Sequence, residues 1–307
     1  MIITVTLNPA LDYTVWTENF TLGVTNRASE ASLRVGGKGI NVSAVLSAFG
    51  VPTLALTFVA GEIGRVIEQK LSALDFPSKT IWTAGENRIN VKIKSGVETE
   101  LNGKGVEVTK EAYDALKSAL NEAKRGDIVV LSGSVPSGLK KTVYADLMRE
   151  FSLRGVRFVV DGTGEALKTA LPLEPLLVKP NETELGELFG VQIENKTQAI
   201  EYAKKLCEMG AQNALVSLGA DGAVFVSRNG ECFVSNAPQG KVVDTVGAGD
   251  SVVAGFLYAF ERGRDLNTAF LTGVASGSAT AFSQGLATKE KTEELLGQLQ
   301  NRTRGSL

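Results

Sequence analysis

The chain has 307 residues, 43% hydrophobic and 21% charged, the balance of a folded globular protein rather than a disordered or fibrous one. Its 32 Lys and Arg against 34 Asp and Glu leave no global field to draw nucleic acid or an anionic membrane, so anionic ligands must be met by local groups. Histidine is absent, which excludes Ser-His-Asp hydrolysis, histidine zinc sites and histidine bases, and leaves proton transfer to Asp, Glu, Lys, Tyr or Cys.

Ile2 to Leu7 reads as a first strand, and Asn41 to Phe49 as a helix feeding a strand at Thr53 to Val59. The run from Val42 to Gly61 carries no charge for 20 residues, but Gly50 and Pro52 divide it into a helix and a β-branched strand instead of a membrane span. Residues 13–34 and 87–101, the latter with alternating Ile89, Val91 and Ile93, interrupt the rhythm and read as short antiparallel strands of a lid. Then follow a helix (Thr109 to Lys124), a strand (Asp127 to Leu131), a helix (Leu139 to Phe151) and a strand (Val156 to Val160). The last third runs helix, strand (Asn213 to Ser217), a hairpin over Val224 to Val234 around Asn229-Gly230, a glycine-rich turn, and helices to Gln300. This alternation predicts an α/β fold with a doubly wound, mostly parallel sheet flanked by helices, as one domain over 1–307 with the lid strands inserted. The N-terminus lacks the basic segment of a secretory signal. Cys207 and Cys232 form neither a disulfide framework nor a four-ligand zinc site, which suits a reducing cytoplasm.

The turn Thr245-Val-Gly-Ala-Gly-Asp-Ser251 leads into an apolar helical stretch, so Gly247, Ala248 and Gly249 can present amides as an anion hole at a helix N-terminus. Asp250, in the first turn, is placed to take a proton from an attacking hydroxyl. A helix-favoured aspartate behind a tight turn is the simpler alternative. Arg34-Val-Gly-Gly-Lys-Gly-Ile-Asn41 sets Lys38 among glycines, without completing a Walker A loop or a dinucleotide fingerprint. Asp12 follows strand one, where a carboxylate can accept from two sugar hydroxyls. Arg27 and Arg88 fall in the lid, Asn90 with them, and together with Lys38 they can grip a phosphate. Asn181 and Glu184, three apart at a helix start, offer hard oxygens to Mg²⁺, most readily through water; a helix cap with Glu184 reaching back fits equally. Ser217-Leu-Gly-Ala-Asp-Gly222 suits a loop passing close to nucleotide phosphates.

The series Thr6-Leu-Asn-Pro-Ala-Leu-Asp12, Gly36-Gly-Lys-Gly-Ile-Asn41, Arg88-Ile-Asn-Val-Lys92, Leu131-Ser-Gly-Ser-Val-Pro-Ser137, Lys179-Pro-Asn181, Ser217-Leu-Gly219 and Thr245 to Ser251 resembles the ribokinase-like, or PfkB, carbohydrate kinases over essentially the whole chain. The resemblance implies ATP and Mg²⁺ as cofactors, Asp250 as general base and Gly247 to Gly249 as anion hole. It puts Asp12, Gly37, Lys38 and Asn41 on the sugar, Arg27, Arg88 and Ser137 on its phosphate, and Lys179, Asn181, Glu184, Ser217, Gly219 and Gly222 on the ATP side. It also implies Ala275 and Ser278 near the adenine, and a monovalent cation such as K⁺ near Asp244, Val246 and Ala281. Within the family the phosphosugar kinases are nearest, with fructose 1-phosphate the expected acceptor and tagatose 6-phosphate or fructose 6-phosphate the alternatives. An exposed lid edge is able to pair with a second copy as a homodimer. A nicotinamide dehydrogenase would share the architecture but lacks its fingerprint here; a non-catalytic sugar or nucleotide sensor is the remaining rival.

Overall fold

The computed structural model describes residues 1–304; residues 305–307 of the expected domain lie outside the described residues. Strands β1 (Ile2–Thr6), β4 (Thr53–Val59), β5 (Ser78–Trp82), β8 (Ile128–Ser132), β9 (Arg157–Asp161), β10 (Leu177–Val178), β11 (Asn213–Ser217), β12 (Ala223–Ser227) and β13 (Cys232–Ser235) form one nine-stranded sheet. Its order is β13-β12-β11-β10-β9-β8-β1-β4-β5, parallel except for the antiparallel hairpin of β12 and β13 at one edge.

The central strands are largely apolar and buried because helices cover both faces, and alternate side chains divide between two cores. Ile3, Val5, Val129 and Leu131 pack with α3 (Lys110–Leu120), α4 (Val143–Ser152), α5 (Gly164–Ala170), α6 (Glu182–Phe189) and α7 (Lys196–Glu208). Ile2, Ile128 and Val130 pack with α1 (Lys38–Ala48), α8 (Ala248–Phe260), α9 (Leu266–Ala281) and α10 (Lys289–Arg304). This is the expected doubly wound sheet. Helix α2 (Gly61–Ser72) buries Ile67 and Leu71 with Leu11 in a third, smaller core at the base of the lid. The uncharged run over 42–61 is shared between α1, β4 and the first residue of α2, and no described helix is long and apolar enough to cross a membrane.

The lid is a four-stranded sheet, β3-β2-β6-β7, made of β2 (Ala10–Trp16), β3 (Glu30–Gly36), β6 (Arg88–Lys94) and β7 (Thr99–Asn102). It is not antiparallel throughout, as its sequence suggested. β2 pairs with β3, and β6 with β7, in antiparallel fashion, but the central pair β2 and β6 is parallel. The reason is topological: both strands leave the carboxyl rim of the large sheet, one after β1 and one after β5, and run outward together. Asp12 therefore sits inside a lid strand and not in a turn directly after β1. The helix expected from Asn41 begins at Lys38, since Gly37 turns the chain at φ 151°; a Cβ there would stand 2.8 Å from Thr6 Cγ2. The helix expected from Leu139 begins only at Val143.

Candidate active site

The carboxyl ends of the parallel strands, the start of α8 and the underside of the lid enclose a cavity of about 1020 Å³. Asp250 stands in the first turn of α8 at 7% exposure, its Oδ2 accepting a 2.7 Å hydrogen bond from Asn41 Nδ2. Burial, with Asp161 nearby, pushes its carboxyl up to about 6, against the opposing pull of Asn41, Lys38 and Lys179. Gly247 caps the helix at φ 80°, a left-handed conformation that glycine adopts at no steric cost; a Cβ there would also lie 2.5 Å from Leu286 Cδ2. Of the three amides expected in the anion hole, that of Ala248 is turned back onto the Thr245 carbonyl at 3.1 Å. Among the described residues, the amides of Gly247, Gly249 and Asp250 find no acceptor and are free for an anion.

Facing this helix end are two lysines that share one buried carboxylate. Lys38 Nζ lies 2.9 Å from Asp161 Oδ1 and 3.5 Å from Glu184 Oε1, and Lys179 Nζ lies 3.5 Å from the same Asp161 oxygen. Burial works against ionisation of Asp161, yet Lys179 and Lys38 hold its carboxyl below the usual range. For Lys38 burial disfavours the charge, but Asp161, Glu184 and Asp250 outweigh it and raise its pKa. A Cβ on Gly249 would stand 3.3 Å from Lys179 Nζ, so this lysine reaches the glycine turn from the sheet.

At the lid end, Asp12 Oδ1 accepts from Asn90 Nδ2 at 2.9 Å, and Arg88 donates through Nη2 to the Asn8 carbonyl at 3.0 Å. Burial lowers the Arg88 pKa, with Asp12 opposing. Six buried side-chain polar atoms lack a partner among the described residues, and Asn8 Oδ1, Arg88 Nε, Asn90 Oδ1 and Asp161 Oδ2 are four of them. Such atoms are costly to leave unpaired, and Arg88 and Asn90, which line the cavity, mark where a polar ligand would complete the structure.

Most of the expected site residues converge on the cavity: Asp12, Gly37, Lys38, Asn41, Arg88, Asn90, Lys179, Asn181, Glu184, Ser217, Gly219, Gly222, Ser278 and the 247–250 turn all line it. Three do not. Arg27 is exposed on the loop between β2 and β3, away from the cavity of its own chain. The Ser137 hydroxyl donates to the Val106 carbonyl at 3.0 Å, outside the cavity. Ala275 is fully buried in the core, while its helix turns Val274, Gly277 and Ser278 to the wall; the Ser278 hydroxyl is spent on the Val274 carbonyl at 2.9 Å.

Asn181 and Glu184 form a capping box, Asn181 Oδ1 accepting from the Glu184 amide at 2.8 Å and Glu184 Oε2 from the Asn181 amide at 2.9 Å. Asn181 is thereby a helix cap, and no group of three His, Cys, Asp or Glu side chains placed to hold a metal exists among the described residues. Glu184 also lines the cavity, its Oε1 3.5 Å from Lys38, and this carboxylate oxygen fits an Mg²⁺ ion held through water that shares its shell with phosphates. The groups expected around a monovalent cation do not fit one as they stand. Asp244 Oδ1 already meets the Val246 amide at 3.2 Å and Lys94 Nζ at 3.6 Å, and the Ala281 carbonyl accepts from the Val243 and Asp244 amides.

Sequence reasoning missed Asp161, Asn8 and Lys92. Asp161 had a legible signal as the carboxylate ending a buried strand; Asn8 and Lys92 lie within motifs whose partners are distant in sequence.

The model of the pfkB family carbohydrate kinases matches residues 6–293. The chain belongs to this family. It is a kinase, an enzyme of phosphoryl transfer. It is 45% identical to a 1-phosphofructokinase of Bacillus subtilis over 96% of this chain and 97% of that one. It is 32% identical to a D-tagatose-1-phosphate kinase of Bacillus licheniformis over 98% and 99% of the two chains. Among solved structures, the phosphofructokinase-2 of Escherichia coli in complex with substrates and products superimposes with a TM-score of 0.91 at 28% identity, covering 97% of this carbohydrate kinase and 99% of its own chain.

Proposed function

We propose that the enzyme transfers the γ-phosphoryl group of ATP to O6 of fructose 1-phosphate, giving fructose 1,6-bisphosphate and ADP. The observation that carries the chemistry is Asp250, a buried carboxylate with a raised pKa beside three free amides and two lysines. It takes the proton of the attacking hydroxyl as the new O–P bond forms and the bond from the γ-phosphorus to the bridging oxygen breaks. The Gly247, Gly249 and Asp250 amides with Lys38 and Lys179 meet the charge of the transferring group. Mg²⁺, when bound, would supply further positive charge to the nucleotide phosphates, and Glu184 would hold it through water. The loop from Ser217 to Gly222 passes the phosphates, and Val242, Val274 and Phe282 offer the base an apolar wall.

Arg88, whose Nε lacks a partner, receives the phosphate end of the acceptor, and Asp12, Asn41 and the unpaired amide oxygen of Asn90 meet its hydroxyls. The 45% identity over nearly the full chain favours fructose 1-phosphate above tagatose 6-phosphate or fructose 6-phosphate. Parallel assays of ADP formation on these three sugars and tagatose 1-phosphate test the choice. A preference for a 6-phosphate would overturn the acceptor and leave the kinase; absence of turnover on all four would favour a sensor.

The outer face of the lid carries Tyr13, Leu33, Ile89 and Leu101, all exposed, and the loop beyond it exposes Phe20, Leu22 and Val24. Two copies meeting through these faces would bury a patch that a monomer rarely shows. Sedimentation of Leu101→Lys against the unmodified chain reads this: dissociation supports the lid-mediated dimer, an unchanged mass refutes it.

A further inference from the structure

Strand β6 crosses the mouth of the cavity as a ruler. Its alternate residues Arg88, Asn90, Lys92 and Lys94 share one face, by register with Ala10, Asp12, Thr14 and Trp16 of β2. One end is fixed where Arg88 donates to Asn8, the other where Lys94 meets Asp244, the residue whose carboxylate also holds the Val246 amide at the glycine turn. Lys92 lies between them at 7% exposure. Its Nζ is 3.5 Å from Asp12 Oδ2 and 3.9 Å from Glu100 Oε1, and it makes no hydrogen bond among the described residues. A buried ammonium held by ion pairs at 3.5 and 3.9 Å, without a short hydrogen bond, keeps donor capacity for a hydroxyl that enters the cavity.

We propose that Lys92 is a specificity-determining residue that binds the acceptor sugar together with Asp12 and selects the configuration of its C4 hydroxyl. This rests on the reading of the acceptor as a ketohexose 1-phosphate whose O6 faces Asp250. The Asn90 amide fixes Asp12 Oδ1 and so aims Oδ2 at Lys92. A carboxylate only accepts and an ammonium only donates, so one hydroxyl that bridges this 3.5 Å pair from the cavity side is satisfied in both its roles. Lys92 lies on the glycine-turn side of the Asp12 and Asn90 pair, so the ring hydroxyl it meets is the one nearer the reacting end, on C4 rather than C3. Fructose and tagatose differ only at C4. The epimer turns that hydroxyl to the other face of the ring and leaves the Lys92 and Asp12 pair without the hydrogen bonds it would bridge, and a site built to pair a hydroxyl discriminates against a ligand that does not supply it.

The test is kcat/KM on fructose 1-phosphate and tagatose 1-phosphate, with the KM for ATP, for the wild type and for Lys92→Met, Lys92→Gln and Lys92→Arg. For Lys92→Met a loss of roughly 10- to 100-fold is expected on fructose 1-phosphate, the strength of a hydrogen bond from a charged group. The loss on tagatose 1-phosphate is expected to stay within about 3-fold, so the selectivity ratio collapses while the KM for ATP holds. Lys92→Arg recovers part of the ratio. Lys92→Gln reads the same ratio should the Met variant fold poorly. An equal loss on both sugars, or none, overturns the inference and leaves Lys92 as a counter-ion for Asp12. A wild type that phosphorylates neither 1-phosphate overturns the acceptor reading and this inference with it, an outcome distinct from equal loss.

Discussion

At the rim of the large sheet the charges are paired with one another, whereas on the lid they face the cavity with donors and acceptors left over. Asp161 is shared by Lys38 and Lys179, Glu184 is held by its own helix cap, and Asp250 is fixed by Asn41. These groups are positioned before any ligand arrives, on elements buried from both sides. Across the cavity, Arg88 Nε and Asn90 Oδ1 lack partners and Lys92 meets Asp12 in an ion pair without a short hydrogen bond, on a sheet whose outer face is exposed. The contrast teaches a division of labour. Chemistry belongs on the rigid rim, where preorganisation serves the transition state; selection belongs on the element that the substrate itself completes.

Four substitutions break or sharpen this contrast. The largest effect falls on the rim: Asp250→Asn is expected to lower kcat by about 10²- to 10⁴-fold with the KM for both substrates largely retained, and unchanged turnover would remove Asp250 as the base. On the lid, Arg88→Met should act through binding, raising the KM for the phosphorylated acceptor by roughly 10- to 100-fold while the KM for ATP stays put. A fall in kcat alone would mean that the lid shares in the chemistry.

Asp161→Asn tests how the rim sets its own base. Because the Asp250 carboxyl is raised to about 6, its proton-accepting form is lost, and kcat/KM falls, as pH drops through that value. Removing the like charge of Asp161 leaves Lys38 and Lys179 to favour ionised Asp250, so the acidic limb moves to lower pH relative to wild type. The sugar phosphate titrates in the same range but identically for both enzymes, so the displacement is the readout, and movement to higher pH would contradict the coupling. The smallest effect is on the turn: Gly247→Ala forces a side chain into φ 80° against Leu286 and should cost about 1–2 kcal/mol or more of stability, seen as a lower Tm.

The strand pattern made the large sheet readable to the residue in places: Thr53–Val59 and Asn213–Ser217 form strands at the bounds expected from sequence. Continuous burial writes itself into sequence. The lid was recognised from the alternation of Ile89, Val91 and Ile93, but its parallel central pair was not, because alternation reports faces and not partners. The same limit applies to the site. Asp250 stood out because its glycines are beside it, whereas the pairing of Asp161 with two lysines joins residues 123 positions apart in the case of Lys38. Asn181 and Glu184 show the converse ambiguity. Their spacing suits both a metal and a helix cap, and the local hydrogen bonds took the cap.

The parallel pairing of β2 with β6 has a kinetic consequence. Asp12 and Asn90, hydrogen-bonded across it, are 78 residues apart, and closing so long a segment gains nothing until β1, β4 and β5 have already aligned the two points of departure. The surface that reads the sugar is thus expected to be among the last parts of the molecule to form during refolding. In pulsed hydrogen exchange, amides of β1 and β8 should gain protection ahead of those in β2 and β6.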